Sequence, residues 1–179
     1  MDNGRKVILY IAQSLDGFIA REDNDIGWLS IVEQEGEDYG YGEFVKSIDT
    51  VIMGRKTYEK VLSYGIEFPH KKKKCYILSK TIKGSEGNLE FFNDSIESLI
   101  SMLKNEKGKN IFIDGGSEVV KELRSKNLID QYIISIIPIM IGKGIRLFKE
   151  TDTENRVKLM DHKIFSTGLV QLKYETDIG

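Results

Sequence analysis

Short apolar runs of strand length recur along the chain with helical stretches between them, and this alternation constrains the fold most. Residues 6–13 (KVILYIAQ), 51–53 and 110–113 are nearly continuous apolar runs. Such runs are typical of strands that are buried on both faces of a parallel sheet. The alternation of strand and helix therefore predicts an α/β fold built on a mostly parallel central sheet.

Two further patterns complete the predicted architecture. Residues 94–107 have apolar positions at helical spacing, and we expect Asp94 to cap this helix and Gly108 to end it. Residues 156–165 and 168–175 are strand-like with no helix between them, which predicts an antiparallel hairpin at the C-terminal edge of the sheet.

Composition and length favour a single domain over residues 1–179, with 40% hydrophobic and 30% charged residues and no repeat or linker. A net charge of −2 gives no electrostatic reason to expect a nucleic-acid partner. The lone Cys75 excludes an intrachain disulfide and a cysteine cluster for metal. The N-terminus lacks a signal-peptide pattern, and the most apolar segment, residues 133–145, is too short and interrupted to span a membrane. We expect a cytoplasmic protein without a membrane partner.

One strand leads directly into a motif suited to phosphate. In residues 51–59 (VIMGRKTYE), the strand is followed by Gly54, Arg55, Lys56 and Thr57. Glycine, cations and a hydroxyl at the start of a helix suit a phosphate-bearing cofactor, because the first helical amides are unpaired and the helix dipole is positive there. An ordinary strand–helix junction with surface cations fits the spacing equally well.

A second strand ends in Gly115 and Gly116 before a helix that begins at Ser117. Two glycine junctions on one sheet favour a dinucleotide, although neither is a GxGxxG or a P-loop motif. Ser79 and Lys80 close a third strand, where a hydroxyl and an ammonium group suit an extra phosphate and thus NADPH rather than NADH. A plain turn is the alternative.

Few residues suggest acid–base or metal chemistry. His70 and His162 lie in polar sequence that is typical of a surface, without the clustered ligands of a metal site, so we expect no metal. The lysine run 71–74 predicts a solvated loop. Asp38 lies on a predicted helix before the central strand and would border the same cleft, but a solvated surface acid is the alternative.

Four segments resemble known reductases, in the same order and over residues 6–174. VIMGRKTYE resembles the signature of dihydrofolate reductase. IAQSLDGFIA, IFIDGGSEVV and LIDQYIISIIPIMIGKGIRLF resemble the reductase domain of bacterial riboflavin biosynthesis, the RibD C-terminal domain. The chain is thereby identified as a member of the dihydrofolate reductase-like superfamily. The resemblance implies a three-layer α/β fold, NADPH as cofactor and a small-molecule substrate, and it leaves monomer and homodimer open.

The resemblance also implies roles for particular residues. Those implied to contact the cofactor are Ala12, Asp16, Gly17, Ile19, Gly54, Arg55, Lys56, Thr57, Ser79, Lys80, Gly115, Gly116, Ser117, Glu118 and Val119. On the substrate side it implies an acid at Asp38 that is hydrogen-bonded by Ser135, with Trp28 and Gln13 also at the substrate.

Three functions follow as hypotheses. The first is NADPH-dependent reduction of a pterin or dihydrofolate, which Asp38 favours. The second is reduction of 5-amino-6-(5-phosphoribosylamino)uracil in riboflavin biosynthesis, which the SLDGFIA and Gly-Gly motifs favour. The third is a pyridine-nucleotide or pterin-binding module without turnover. Lys73 stands where folate enzymes have an arginine for the glutamate tail, and Gly40 and Gly42 replace bulky pocket residues. These departures argue against tight folate binding.

Overall fold

The computed structural model describes residues 4–177, which form one large sheet with helices on both faces. Its strands are β1 (Val7–Ser14), β2 (Phe18–Ala20), β3 (Ile48–Gly54), β4 (Lys74–Leu78), β5 (Gly84–Glu86), β6 (Leu89–Phe92), β7 (Asn110–Gly115), β8 (Gln131–Ile137), β9 (Ile145–Arg146), β10 (Val157–Ile164) and β11 (Val170–Thr176). Its α-helices are α1 (Tyr41–Lys46), α2 (Arg55–Ser63), α3 (Ile96–Asn105) and α4 (Ser117–Ser125), and a 3-10 helix spans Gly27–Val32.

The main sheet has nine strands in the order β10-β11-β8-β1-β7-β3-β4-β6-β5. The pairs from β8 through β6 are parallel, whereas β11 and β10 add an antiparallel hairpin at one edge and β5 pairs antiparallel at the other. A separate two-stranded sheet joins β2 and β9. The predicted mostly parallel sheet with a C-terminal edge hairpin is confirmed.

Apolar cores on the two faces of the sheet complete a three-layer arrangement. One core combines Leu9, Ile52 and Ile113 of the sheet with residues of α3 and α4. Another combines Val51 and Met53 with aromatic residues that include one from α1. Adjacent strand residues point to opposite faces, so a continuous apolar run supplies both cores.

The predicted helix over residues 94–107 is shorter than expected, and its predicted cap is wrong. Ser95 is extended, with φ −64° and ψ 143°, and its hydroxyl accepts a hydrogen bond from the Ser98 amide at 3.1 Å. Asp94 instead accepts from the Ser95 amide at 2.7 Å. Both residue types cap helices well, and the backbone selects the one beside the first helical turn.

No helix in residues 4–177 is long and apolar enough to cross a membrane.

Candidate functional site

The two glycine junctions lie side by side, because β3 and β7 are neighbours in the sheet. A Cβ atom at Gly116 would lie 3.0 Å from Thr57 Oγ1, and one at Gly54 would lie 3.2 Å from Val119 Cγ2. Each glycine therefore allows neighbouring groups to lie closer to the backbone than they could if a side chain were present. The two glycine junctions, which are far apart in the sequence, therefore lie next to each other in the fold.

Two helices begin at this site without a side-chain cap. Gly54 precedes α2 and Gly116 precedes α4, and neither helix start has a side-chain capping hydrogen bond. The peptide bond that joins Gly115 to Gly116 is cis. The first amides of both helices are therefore available to an anion, and both helix dipoles favour negative charge there.

A cavity of about 940 Å³ opens at these helix starts, and it is here called the cofactor cavity after the role that the resemblance implies for its lining residues. The residues implied for the cofactor that line it are Ala12, Ile19, Gly54, Arg55, Lys56, Thr57, Ser79, Lys80, Gly116, Ser117, Glu118 and Val119. Asp16, Gly17 and Gly115 are not among its lining residues. The three strand ends noted in the sequence thus meet at one cavity.

The charged residues that line the cofactor cavity are Arg55, Lys56, Lys60, Lys80, Asp94, Asp114, Glu118 and Glu122. The Arg55 guanidinium donates from Nη1 to Thr81 Oγ1 at 3.0 Å and lies 3.4 Å from a Glu59 carboxylate oxygen. Lys149 forms an ion pair with Glu118. The Ser79 hydroxyl accepts from the Ile82 amide at 3.0 Å. The cations suit phosphate, and the Arg55 fork is held in place before any ligand arrives.

Asp16 holds two segments of chain together beside this cavity. Its carboxylate accepts from the Ser14 hydroxyl at 2.6 Å, from the Ile141 amide at 3.2 Å and from the Gly142 amide at 2.8 Å. Desolvation opposes ionisation, but these hydrogen bonds together lower the pKa of Asp16. The turn after β1 is thereby fixed to the loop that follows β8.

A second cavity of about 610 Å³ adjoins the first at Ala12 and Leu29, which line both. It is here called the substrate cavity after the role that the resemblance implies for Asp38. Its lining residues are Tyr10, Ala12, Leu29, Val32, Glu33, Gln34, Glu35, Glu37, Asp38, Tyr39, Tyr41, Ser135, Ile137 and Leu169. Asp38 and Ser135, nearly 100 positions apart in the chain, thus line the same cavity.

Asp38 lies before α1 rather than on a helix. The helix begins only at Tyr41 because Gly40 has a left-handed backbone, with φ 82°. The exposed Asp38 carboxylate accepts from the Gly40 amide at 2.8 Å and from the Gly42 amide at 3.0 Å, and these bonds lower its pKa. A Cβ at Gly42 would lie 2.7 Å from Asp38 Oδ2. Glycine at position 42 therefore leaves room for this carboxylate, which is ionised at neutral pH.

Ser135 belongs to a buried polar floor of the substrate cavity. The side-chain amide of Gln171 donates towards the Ser135 hydroxyl at 3.2 Å, the Tyr10 hydroxyl at 3.1 Å and the Tyr39 carbonyl at 3.1 Å. Ser135 is only 5% exposed. Its hydrogen-bond partner is thus Gln171 rather than the Asp38 implied by the resemblance.

Trp28 and Gln13 line neither of these two cavities. Trp28 is 4% exposed and packs with Val32, Ile137 and Leu169 behind the substrate cavity. Its indole N–H has no hydrogen-bond partner within residues 4–177. Gln13 lines a separate cavity of about 470 Å³. It follows Ala12 on β1, and successive strand residues point to opposite faces.

Sequence reasoning missed one buried polar pair. The His70 Nε2 atom lies 3.1 Å from Asp114 Oδ2, and Asp114 lines the cofactor cavity directly before Gly115. His70 is 5% exposed and packs edge-on against the rings of Phe68 and Phe112, so its predicted surface position is wrong. The feature of the sequence that could have indicated this pair is the acid directly before Gly115 and Gly116.

The Asp114 carboxylate also influences the substrate cavity. Burial, followed by the charge of Asp114, raises the pKa of Tyr41 to about 12. Tyr41 lines the substrate cavity and Asp114 the cofactor cavity, so a charge in one cavity acts on a hydroxyl in the other.

Lys73 does not belong to a solvated loop. Its ammonium group donates to the Val45 carbonyl at 2.9 Å and to the Ile48 carbonyl at 2.7 Å. The prediction of a solvated lysine run is therefore wrong for Lys73, which ties its loop to the end of α1. No group of three or more His, Cys, Asp or Glu side chains suited to a metal occurs within the described part of the chain.

This sheet order, with two glycine junctions on adjoining strands and a cavity at their helix starts, is that of the dihydrofolate reductase-like fold. Residues 5–171 match the family model of the RibD C-terminal domain, and the chain belongs to that family.

Three relatives illustrate the similarity. The Bacillus subtilis (strain 168) protein YwjB is 43% identical over 171 residues, which cover 95% of this chain and 97% of YwjB. The crystal structure of a putative riboflavin biosynthesis protein from Shewanella sp. PV-4 is 26% identical, with a TM-score of 0.89 and coverage of 96% of this chain and 99% of that one. Dihydrofolate reductase from Enterococcus faecalis, complexed with NADP(H) and RAB-propyl, shares the fold at 20% identity, with a TM-score of 0.64 and 96% coverage of each chain.

Proposed function

We propose that this protein is a cytoplasmic NADPH-dependent reductase that acts on a C=N bond of a small pterin or aminopyrimidine ring. The observation that carries the proposal is the cofactor cavity, where two uncapped helix starts and the Arg55 guanidinium converge beside a second, aromatic-lined cavity. Membership of the RibD C-terminal domain family and the NADP(H) bound to the fold relative from Enterococcus faecalis support this assignment.

The residues present fit this cofactor. The free amides of α2 and α4, with Arg55, Lys56 and Thr57, would hold the pyrophosphate. Ser79 and Lys80, which line the same cavity, would hold the 2′-phosphate. The glycines at the two helix starts leave the space that a Cβ atom would fill.

The chain's own residues would orient the reaction. When bound, the reduced nicotinamide supplies the hydride, and solvent supplies the proton, so that C=N becomes CH–NH and NADPH becomes NADP⁺. The apolar side chains of Ala12 and Leu29 stand between the two cavities and would place the rings face to face. Asp38, held ionised by two backbone amides, would accept hydrogen bonds from amino and ring N–H groups of the substrate.

A second candidate substrate is 5-amino-6-(5-phosphoribosylamino)uracil. The family assignment favours it, because a bifunctional deaminase and 5-amino-6-(5-phosphoribosylamino)uracil reductase from Thermotoga maritima shares the fold, with a TM-score of 0.71 and 17% identity. A module that binds the cofactor without turnover is the alternative of another class.

Titration of NADPH by its fluorescence tests the proposal. Arg55→Ala should weaken NADPH binding roughly 10- to 100-fold, because a charge-assisted phosphate contact contributes about 1.5–3 kcal/mol. The matched control is Lys72→Ala, which removes an exposed cation of the lysine loop that does not line the cavity. Absence of NADPH binding to the wild-type protein, or equal affinity in both variants, would contradict the cofactor assignment. Binding without oxidation by any reducible heterocycle would favour the non-catalytic module.

A further inference from the structure

All the charged side chains that line the substrate cavity are acidic. The charged side chains among its lining residues are Glu33, Glu35, Glu37 and Asp38, and none of the lining residues is a lysine, arginine or histidine. All four acids are exposed at the rim. Lys46, whose charge acts on Asp38, is engaged in an ion pair with Glu43 at 2.6 Å. A ligand that enters here meets a negative potential.

The interior of this cavity suits a flat and uncharged ring. Three tyrosines line it, and the pKa of Tyr41 lies far enough above neutrality that its hydroxyl stays protonated. Beneath them, the nearly buried Ser135 hydroxyl accepts from Gln171. Its own proton has no acceptor within residues 4–177, so it is available to a ligand atom in the cavity. Aromatic walls and one buried donor recognise a ring and its acceptor atom without a counter-ion.

The adjoining cofactor cavity shows what this chain provides for phosphate. There, Arg55, Lys56, Lys60 and Lys80 accompany two uncapped helix starts. Within residues 4–177, no lysine or arginine lines the substrate cavity, and a phosphate or carboxylate there would face four like charges. Juxtaposed like charges exclude a ligand more effectively than missing contacts do.

We propose that the substrate is a neutral or cationic nitrogen heterocycle that carries neither a phosphate nor a carboxylate group. This inference rests on the proposed reductase function and narrows its substrate class. It excludes tight binding of both dihydrofolate, whose glutamate tail is anionic, and the ribosylaminopyrimidine phosphate. The matching uncharged forms are a dihydropterin without the tail and the dephosphorylated ribosylaminopyrimidine.

Paired ligands test this proposal. The dihydropterin is compared with dihydrofolate, and the ribosylaminopyrimidine with its 5′-phosphate. Binding is followed by fluorescence of Trp28, the only tryptophan, which packs against cavity-lining Val32 and Ile137 and reports without turnover. At low salt the uncharged member of each pair should bind at least about tenfold more tightly, and the difference should shrink as salt screens the rim.

A variant that lacks three of the rim acids tests whether their charge causes the preference for uncharged ligands. The triple variant Glu33→Gln, Glu35→Gln, Glu37→Gln should reduce the discrimination several-fold and leave NADPH affinity unchanged. Glutamine at position 37 still offers the oxygen that accepts from the Tyr39 amide at 2.7 Å. The matched control removes three exposed acids that do not line the cavity, by Glu150→Gln, Asp152→Asn and Glu154→Gln, and should retain wild-type discrimination.

The possible failures are distinguishable. Equal or tighter binding of the anionic members, or discrimination that is unchanged in the rim variant, would overturn the proposed substrate class. Absence of binding by all four heterocycles would overturn it as well. If the uncharged members bind preferentially but NADPH does not bind or is not oxidised, the ligand class stands and the reductase function fails.

Discussion

The two adjoining cavities differ both in how the chain builds them and in the charge that they carry. The cofactor cavity is built largely from short motifs that directly follow β3, β4 and β7, and it brings together four cationic and four acidic side chains. The substrate cavity is built from the 3-10 helix, the loop before α1 and two residues each of β1 and β8, and its charges are all negative. The proposed cofactor site is thus encoded locally, whereas the proposed substrate site depends on tertiary placement.

The largest expected effect concerns Asp38 and would show that catalysis belongs to the substrate cavity. Asp38→Asn should lower turnover about 10²–10⁴-fold, because the carboxylate would raise the proton affinity of the ring nitrogen and so assist protonation by solvent, and it should leave NADPH affinity nearly unchanged. Steady-state rates and NADPH titrations provide the measurement. Asp152→Asn, an exposed acid outside both cavities, is the matched control.

The pH dependence of unfolding checks that the variant reports chemistry rather than folding. Two backbone amides lower the pKa of Asp38 in the folded chain, so its ionised form stabilises the fold at neutral pH. This contribution is lost as the pH falls through the folded-state pKa, and any difference in stability between wild type and Asp38→Asn should vanish in acid. Parallel loss of turnover and NADPH affinity would mean that Asp38 has a structural role.

A smaller effect is expected when the cofactor cavity alone is obstructed. Gly116→Val places a branched side chain where even a Cβ would lie 3.0 Å from Thr57 Oγ1. Overpacking destabilises a fold by about 1–3 kcal/mol, and a penalty of the same size on cofactor binding would lower NADPH affinity by up to roughly 100-fold. Binding of the heterocycle to the substrate cavity, followed by Trp28 fluorescence, should persist. Loss of both, with an unchanged melting temperature, would show that the cavities are not independent.

The smallest expected effect tests the electrostatic coupling between the cavities. Asp114→Asn removes a negative charge that disfavours the Tyr41 phenolate, so the pKa of Tyr41 should fall from about 12. It should remain above the ordinary tyrosine value because burial is the larger cause. Absorbance titration of the phenolate, assigned by difference from Tyr41→Phe, measures the shift. An unchanged Tyr41 titration would mean that the charge of Asp114 does not influence the substrate cavity.

Much of the fold is predictable from the sequence because parallel strands buried on both faces leave continuous apolar runs. The β7 run and the closing hairpin are examples, and the structure confirms both. Local motifs also predict which strand ends meet. The choice of Ser95 over Asp94 as a cap was not predictable, because both residues can cap and the backbone decides.

The substrate cavity was less accessible to sequence reasoning because its contacts join distant residues. The amide of Gln171 reaches the Tyr10 hydroxyl across 161 positions, and no local pattern reports such a pairing. The burial of His70 likewise depends on the rings of Phe68 and Phe112, one nearby and one from β7. The catalytic and binding roles assigned to Asp38 and Ser135 remain predictions.

The hydrogen bonds that join the turn after β1 to the loop after β8 affect how ligands exchange with the cofactor cavity. Besides its bonds to Ile141 and Gly142, the turn after β1 donates from the Leu15 amide to the Ile139 carbonyl, and its Gly17 carbonyl accepts from the Leu147 amide. Because β2 and β9 supply one wall of the cofactor cavity, widening that wall must move both segments as one body. Collective motions of packed segments take roughly microseconds to milliseconds, so we expect a ligand that enters or leaves through this wall to do so no faster.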